Sequence, residues 1–210
     1  MASIDQDTRI KRIASSIRII PNFPKDGVMF QDITTLLLDP KAFRDTVELF
    51  VERYRDMRIS VVAGVEARGF IFGPPIALAI GAKFVPLRKP KKLPGIFFKL
   101  FFRRCGLLCM SKLCLHVEQL LFSSGEVISE EYSLEYGTDT MEMHVGAVQF
   151  NDQVLVIDDL IATGGTLRAA IKLIERAGAE VVECACVIEL PELKGRERLG
   201  DRPLFVLVKG

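Results

Sequence analysis

Short apolar runs rich in valine recur along this chain at residues 60–65, 83–88, 153–158, 180–190 and 203–208. Helix-like spacing of apolar residues separates several of these runs. Strands that are apolar on both faces and alternate with helices are typical of a parallel sheet covered on both sides. The pattern therefore predicts an α/β fold with a central, mainly parallel sheet flanked by helices.

Three helices are predicted where apolar residues recur at helical spacing, at 7–20, 40–54 and 167–177. The first of these should stop at Pro21, because proline ends most helices. Residues 22–40 are rich in turn formers and are predicted to form a loop. In a parallel sheet, ligands bind at the carboxyl ends of the strands. The segments that follow the predicted strands are therefore the places to look for chemistry.

Length, charge and cysteine content narrow the class of protein. The 210 residues suit a single domain spanning 1–210, and a net charge of +1 argues against a nucleic-acid partner. No run reaches the roughly 18 uncharged apolar residues of a membrane helix, and the first residues lack the apolar core of a secretory signal. The five cysteines are an odd number without a regular disulfide framework, which is typical of free thiols in a reducing compartment. We therefore expect a cytoplasmic protein that binds neither nucleic acid nor membrane.

The third apolar run leads into two neighbouring carboxylates, Asp158 and Asp159, and then into a glycine-rich loop at 162–166. Glycines let backbone amides approach an anion, and Thr163 and Thr166 add hydroxyl donors at the start of a predicted helix. The loop can therefore seat a phosphate, while the carboxylates accept hydrogen bonds from hydroxyl groups. Ribose 5-phosphate is the simplest molecule that satisfies both. An ordinary strand-to-helix turn is the alternative.

Several motifs together resemble the type I phosphoribosyltransferases, and within this family the members that act on adenine. The segment VLVIDDLIATGGT at 154–166 resembles the family's signature for phosphoribosyl pyrophosphate (PRPP). Five further stretches resemble the family in the expected order: GVMFQDIT (27–34), GVEARGFIFGPPIA (64–77), RKPKKLPG (88–95), EEYSLEYGTD (130–139) and ELPELKGRERLGDRPLF (189–205). The resemblance covers the rest of the chain except for 96–125.

This resemblance implies a type I phosphoribosyltransferase fold with a small hood, and a homodimer. The implied reaction transfers the 5-phosphoribosyl group from PRPP to adenine, which yields AMP and pyrophosphate and uses Mg²⁺. The implied PRPP and AMP site comprises Asp158, Asp159, Ala162, Thr163, Gly164, Gly165 and Thr166, the first two also contacting Mg²⁺ through water. The implied pyrophosphate site comprises Glu66, Ala67, Arg68 and Gly69, together with Arg88, Lys89 and Lys92, which could belong to the same subunit or to a neighbouring one. Phe30 and Gln31 are assigned to adenine, and Glu135 and Tyr136 to catalysis.

For several of these residues, residue type and spacing leave a simpler interpretation open. Arg68 suits bidentate phosphate binding, but it could lie in a solvated surface turn. The basic run at 88–92 could also be merely solvated, and Phe30 could pack into the core. Glu135 could exchange a proton with the purine, although an acidic loop usually faces solvent.

The segment 96–125 is apolar, contains three cysteines and has no counterpart in the family pattern. We interpret it as an atypical insertion in the hood, derived from translated non-coding sequence or alternative splicing, or else as a membrane-touching or partner-binding loop. A zinc site is disfavoured because the cysteine spacing is irregular. Three functional hypotheses remain: an active enzyme, a folded but impaired variant, and a non-catalytic sensor of PRPP. The sensor is disfavoured because no DNA-binding or partner-binding motif is apparent.

Overall fold

The structure, a computed structural model, describes residues 8–93, 126–134 and 137–210. In chain order its helices and strands are α1 (Thr8–Ser16), β1 (Arg18–Pro21), β2 (Met29–Asp32), α2 (Thr34–Leu38), α3 (Pro40–Tyr54), β3 (Val61–Val65), α4 (Gly69–Ile80), β4 (Lys83–Leu87), β5 (Val127–Leu134), β6 (Gly137–His144), β7 (Gln153–Ile161), α5 (Gly165–Arg176), β8 (Glu180–Glu189) and β9 (Leu204–Lys209). Two short 3₁₀ helices, Pro191–Leu193 and Gly195–Leu199, connect β8 to β9.

A five-stranded sheet with the order β4-β3-β7-β8-β9 forms the centre of the molecule, and all its neighbouring strands are parallel. Alternate residues of β3 enter different cores: Val61 and Ala63 pack on the side of α5, whereas Val62 packs on the side of α3 and α4. Burial on both faces explains why the strands appear as unbroken apolar runs. The α/β class and the mainly parallel sheet predicted from the sequence are confirmed.

A second, smaller sheet consists of the antiparallel strands β5 and β6, which we call the hood hairpin. Met141 and Met143 of β6 are buried in the same core as α5, and Glu130 of β5 accepts hydrogen bonds from Lys172 and Arg176. The end of β4 joins this hairpin, since Arg88 and Glu142 exchange two backbone hydrogen bonds of 2.9 and 2.7 Å. The hood therefore lies beside the carboxyl ends of β3 and β4.

Two of the local predictions near the amino terminus are wrong. The first helix was expected to reach Ile20, but it ends at Ser16 and the chain continues as β1. The predicted loop at 22–40 contains β2 and α2 instead. The two strands form because β1 pairs with β2, a pairing reinforced by a 2.5 Å ion pair between Arg18 and Asp32. Such a tertiary contact leaves no trace in local hydrophobic spacing.

The insertion at 96–125 lies outside the described residues, and the division of the chain into one domain stays a prediction. Among the residues that the structure describes, no helix is both long enough and apolar enough to cross a membrane.

Candidate active site

A cavity of about 380 Å³ opens at the carboxyl ends of β3 and β7. These two strands are neighbours, but the chain passes from β3 to β4 on one side before β7 is added on the other. Such a switch point in strand order leaves a crevice in which α/β proteins bind ligands. Its lining residues are Glu66, Ala67, Arg68, Lys89, Tyr132, Asp139, Asp158, Asp159, Leu160, Ile161, Ala162, Thr163, Gly164, Gly165, Thr166 and Leu167.

The predicted phosphate loop, 162–166, forms one wall of this cavity, and α5 begins within it at Gly165. Gly164 has a φ of +79°, and a Cβ atom there would collide with the carbonyl oxygen of Gly195. Glycine is therefore required at this position both by the backbone conformation and by the close approach of the 3₁₀ segment. The loop and the first residues of α5 line the same cavity, and the amino terminus of a helix suits a phosphate group because it offers unpaired amides and positive charge.

Asp158 and Asp159 lie within β7 rather than after it, because this strand continues to Ile161. Both are buried, and one Asp158 oxygen accepts a 2.9 Å hydrogen bond from the Asp159 amide. Burial and the neighbouring charge of Asp159 raise the pKa of Asp158 well above its usual value. Asp159 Oδ2 accepts no well-directed hydrogen bond, although Arg68 Nε lies 2.5 Å away as an ion pair. These carboxylates therefore retain acceptor capacity for a ligand.

The predicted pyrophosphate residues divide between the cavity wall and the region beside it. Ala67, Arg68 and Lys89 line the cavity, whereas Gly69 begins α4 and packs against the backbone of β7. Glu66 also lines the cavity, whereas Arg88 and Lys92 do not; both form ion pairs with Glu66.

Glu66 turns its carboxylate toward the basic segment after β4. It accepts hydrogen bonds from Lys92 Nζ at 2.8 Å, from the Lys89 amide at 3.0 Å and from Arg88 Nε at 3.2 Å. Burial by itself would raise the pKa of Glu66, but these hydrogen bonds outweigh it and lower the pKa to about 2. Glu66 thus fixes the position of the basic segment that follows β4.

The two residues predicted to bind adenine are in β2, and neither lines the cavity. Phe30 is half-buried, its ring packs edge-on against Phe23 at 5.1 Å, and the Arg68 guanidinium lies 5.9 Å from its centroid. Gln31 is buried beside the terminal residue, Gly210. Arg68 therefore connects the aromatic ring with Asp159 on the cavity wall.

Glu135 and Tyr136 fall outside the described residues, but the flanking hood strands bring two further polar residues to the cavity. Tyr132 and Asp139 face each other across the β5–β6 pair, and both line the cavity. Both belong to the motif EEYSLEYGTD at 130–139, but the family resemblance implies no role for either of them. A hairpin with two residues between its strands fixes which residues face each other, and this signal could have identified the pair.

Comparison with known proteins also indicates phosphoribosyl transfer. The model of the phosphoribosyl transferase domain matches residues 126–207. Adenine phosphoribosyltransferase 1 of Triticum aestivum is 70% identical over 203 residues, which cover 97% of this chain and 96% of that protein. The chain belongs to the adenine phosphoribosyltransferase family. This result confirms the family, the fold and the enzyme class predicted from the motifs.

Other members of the family agree with this membership along the length of the chain. The chloroplastic adenine phosphoribosyltransferase 1 of Arabidopsis thaliana is 66% identical over 210 residues, covering 100% of this chain and 74% of that protein. The Saccharomyces cerevisiae enzyme is 32% identical to this chain in sequence. Its crystal structure contains adenine and D-DIAB, an imino-altritol bisphosphate. It superposes with a TM-score of 0.77 and covers 95% of this chain and 98% of that one. The cavity at the switch point is therefore the candidate active site of a family member.

Proposed function

We propose that this chain transfers the 5-phosphoribosyl group of PRPP to adenine, forming AMP and pyrophosphate, in the cavity between β3 and β7. The observation that carries this proposal is the arrangement of that cavity's wall. Two buried carboxylates, Asp158 and Asp159, adjoin a loop of amides and hydroxyls, and the cations Arg68 and Lys89 line the same cavity. A phosphorylated pentose that carries a second anionic group matches all three features.

In this arrangement the 5-phosphate of PRPP binds the loop 162–166, and the ribose hydroxyls donate to Asp158 and Asp159. The pyrophosphate group lies toward Arg68 and Lys89, with Arg88 and Lys92 behind Glu66 as a further source of positive charge. As the bond at the ribose C1′ breaks, positive charge develops on the sugar and negative charge on the departing pyrophosphate. Cations fixed beside the leaving group stabilise that charge and so lower the barrier.

Adenine is assigned to the side of the cavity nearest Phe30, whose ring can stack on the purine while Gln31 contacts it through the backbone. Because Arg68 lies between this ring and Asp159, the base and the ribose would meet beside its guanidinium. We assign to Glu135 the exchange of a proton with the purine, and we place Tyr136 beside it. Both assignments rest on the family motif EYSLEYG at 131–137.

The residues of the cavity are compatible with Mg²⁺ that arrives with PRPP. Mg²⁺ takes one or two carboxylates together with phosphate oxygens and water, and the buried Asp159 Oδ2 lacks a well-directed hydrogen bond. Among the described residues, no group of three acidic, histidine or cysteine side chains could hold a metal alone. Asp158 and Asp159 would therefore hold the ion through water, and the ion would neutralise charge on the leaving pyrophosphate. Removal of Mg²⁺ with EDTA should abolish turnover, and its return should restore it.

The proposal is tested by the rate of pyrophosphate release with adenine, guanine or hypoxanthine as acceptor, measured on the full chain and on a variant lacking 96–125. Turnover of adenine by the full chain supports an active enzyme, whereas turnover only by the shortened variant supports an impaired form. Binding of PRPP without turnover by either would favour a sensor. We also propose a cytoplasmic homodimer, a state that light scattering and cell fractionation would test.

A substitution provides the sharper test of the ribose site. Asp159→Ala should raise the KM for PRPP by about tenfold or more, because a charged acceptor for the ribose hydroxyls is lost. The melting temperature should stay within a few degrees of that of the unaltered protein. Asp152→Ala is the matched control, since it removes a carboxylate at the opposite end of β7 that pairs with Lys83. An Asp159→Ala protein with an unchanged KM for PRPP would contradict the assignment.

A further inference from the structure

Every cation of the proposed pyrophosphate site is already paired with a carboxylate of the same chain. The ion pairs are Arg68 with Asp159 at 2.5 Å, Lys92 with Glu66 at 2.8 Å, Arg88 with Glu66 at 3.2 Å, and Lys89 with Asp139 at 2.7 Å. An incoming pyrophosphate must compete with these internal anions for the positive charge. The affinity for PRPP therefore depends on how readily each pair separates.

The pair formed by Lys89 and Asp139 is the one best placed to separate, because its carboxylate side chain is 19% exposed, against 6% for Asp159 and 9% for Glu66. The Lys89 side chain is 52% exposed and can swing away, and both residues line the cavity. They come from different elements, because Lys89 follows β4 and Asp139 is in β6 of the hood hairpin. Glu66, by contrast, binds three donors from one short segment and lies deeper, with a side chain that is 9% exposed.

Asp139 keeps other hydrogen-bond donors when its ion pair with Lys89 breaks. One of its oxygens accepts a 2.8 Å hydrogen bond from the Thr140 amide, and Tyr132 lies directly across the hairpin. The hydrogen bond from Lys89 is the main reason that the pKa of Asp139 is lowered, against the effect of burial, with smaller contributions from Thr140 and Tyr132. Two donors therefore remain when Lys89 leaves.

Tyr132 is suited to remain a donor throughout this exchange. Burial, followed by the charge of Asp139 and the hydrogen bond to it, raises the pKa of Tyr132 to about 12, so the hydroxyl keeps its proton near neutral pH. Thr166 of the phosphate loop has the smallest effect on this pKa and lowers it, and it lines the same cavity as Tyr132. Tyr132 thus lies between the two ends of the cavity that the anionic groups of PRPP would occupy.

We propose that Asp139 is an exchangeable counter-ion that holds Lys89 in the free enzyme and releases it to the pyrophosphate group of PRPP. Tyr132 is the positioning residue that keeps the Asp139 carboxylate hydrogen-bonded after the lysine has moved. This inference rests on the proposed function, because it requires PRPP to occupy the cavity. It adds a role for two residues of the hood hairpin that the family motif did not assign.

The exchange makes two substitutions act in opposite directions on PRPP affinity. Asp139→Asn removes both the competitor for Lys89 and a negative charge from an anion site. PRPP should therefore bind about two- to fivefold more tightly, the factor expected for an ion pair whose lysine is exposed to solvent. Tyr132→Phe leaves Asp139 more dependent on Lys89, so PRPP should bind more weakly by a similar factor. If both residues were merely structural, both substitutions would weaken binding.

Calorimetric titration of PRPP with Mg²⁺, without adenine, measures these affinities on the full chain, and titration of AMP provides the comparison. AMP needs the phosphate loop but not Lys89, so Asp139→Asn should leave the affinity for AMP unchanged. If Tyr132→Phe disturbs the phosphate loop through Thr166, the affinity for AMP will fall in that variant. Glu130→Gln is the matched control. It removes a hood carboxylate that pairs with Lys172 and lies outside the cavity wall, so PRPP affinity should not change.

Measurements in a Lys89→Gln protein separate the proposed exchange from a general structural effect of Tyr132→Phe. In a Lys89→Gln protein there is no cation to exchange, so Tyr132→Phe should no longer alter PRPP affinity beyond its effect on AMP. A folded Asp139→Asn protein that binds PRPP with unchanged or weaker affinity would overturn the inference while leaving the proposed function intact. Failure of the unaltered protein to bind PRPP would instead contradict the proposed function, and the inference with it.

Discussion

The substitution Gly164→Ala tests the structure of the phosphate loop most directly. Gly164 has a left-handed φ of +79°, a conformation that costs an alanine about 1–2 kcal/mol. The added Cβ would also collide with the carbonyl oxygen of Gly195, and overpacking of this kind costs about 1–3 kcal/mol. The two effects together should destabilise the loop by about 2–5 kcal/mol.

Gly81→Ala separates these two contributions. Gly81 ends α4 with a φ of +74°, but a Cβ there would meet no atom within 4 Å. This control should therefore cost only about 1–2 kcal/mol, which lowers the melting temperature of a chain of this size by about 2–8 °C. The KM for PRPP should not change, because Gly81 is not among the residues that line the cavity.

The free-energy cost of Gly164→Ala is measured in two ways, by the melting temperature and by the KM for PRPP. If the fold absorbs the strain, the melting temperature should fall by more than in Gly81→Ala. If the loop shifts to relieve the collision, phosphate binding should weaken. Each loss of 1.4 kcal/mol in binding free energy raises the KM for PRPP about tenfold. A Gly164→Ala protein that matches Gly81→Ala in both measurements would refute the described contact with Gly195.

Three further outcomes are expected. Glu183→Ala should lower the free energy of unfolding by about 1–3 kcal/mol, measured by urea denaturation, because the buried Tyr54 hydroxyl loses its acceptor and Arg53 loses its ion pair. The pKa of Glu66 is depressed to about 2, so the stability that it contributes is present above pH 4.5 and is lost as the pH falls toward 2. Urea midpoints should therefore fall less steeply over that range in Glu66→Gln than in the unaltered protein, and equal slopes would contradict this. Phe30→Ala should raise the KM for adenine more than that for PRPP, whereas Phe23→Ala, the neighbouring ring, should have the smaller effect; equal losses for both substrates would remove Phe30 from the base site.

The extent to which the sequence predicts this fold follows from where each element is buried. The five strands of the central sheet are apolar on both faces, so their composition alone marks them. The hood hairpin is less obvious, because Met141 and Met143 alternate with polar residues over only a few positions. The strands β1 and β2 have four residues each, too few for a periodic pattern to appear.

The same reasoning applies to the candidate site. Asp158 and the loop at 162–166 are contiguous in sequence, so their joint chemistry can be inferred without a structure. The ion pair between Lys89 and Asp139 could not be inferred, since the whole segment 96–125 separates the two residues in the chain. Contiguous motifs reveal which ligand suits a loop, but the contacts between distant segments decide what the ligand must displace.

The contact between Gly164 and Gly195 also has a consequence for the order of events during synthesis on the ribosome. A nascent chain that has emerged as far as Thr166 carries every residue of the phosphate loop. It still lacks the 3₁₀ segment against which the backbone of that loop packs. Nucleotide capture should therefore wait until the carboxyl-terminal residues have left the exit tunnel, and proteolytic trimming before Gly195 should abolish it.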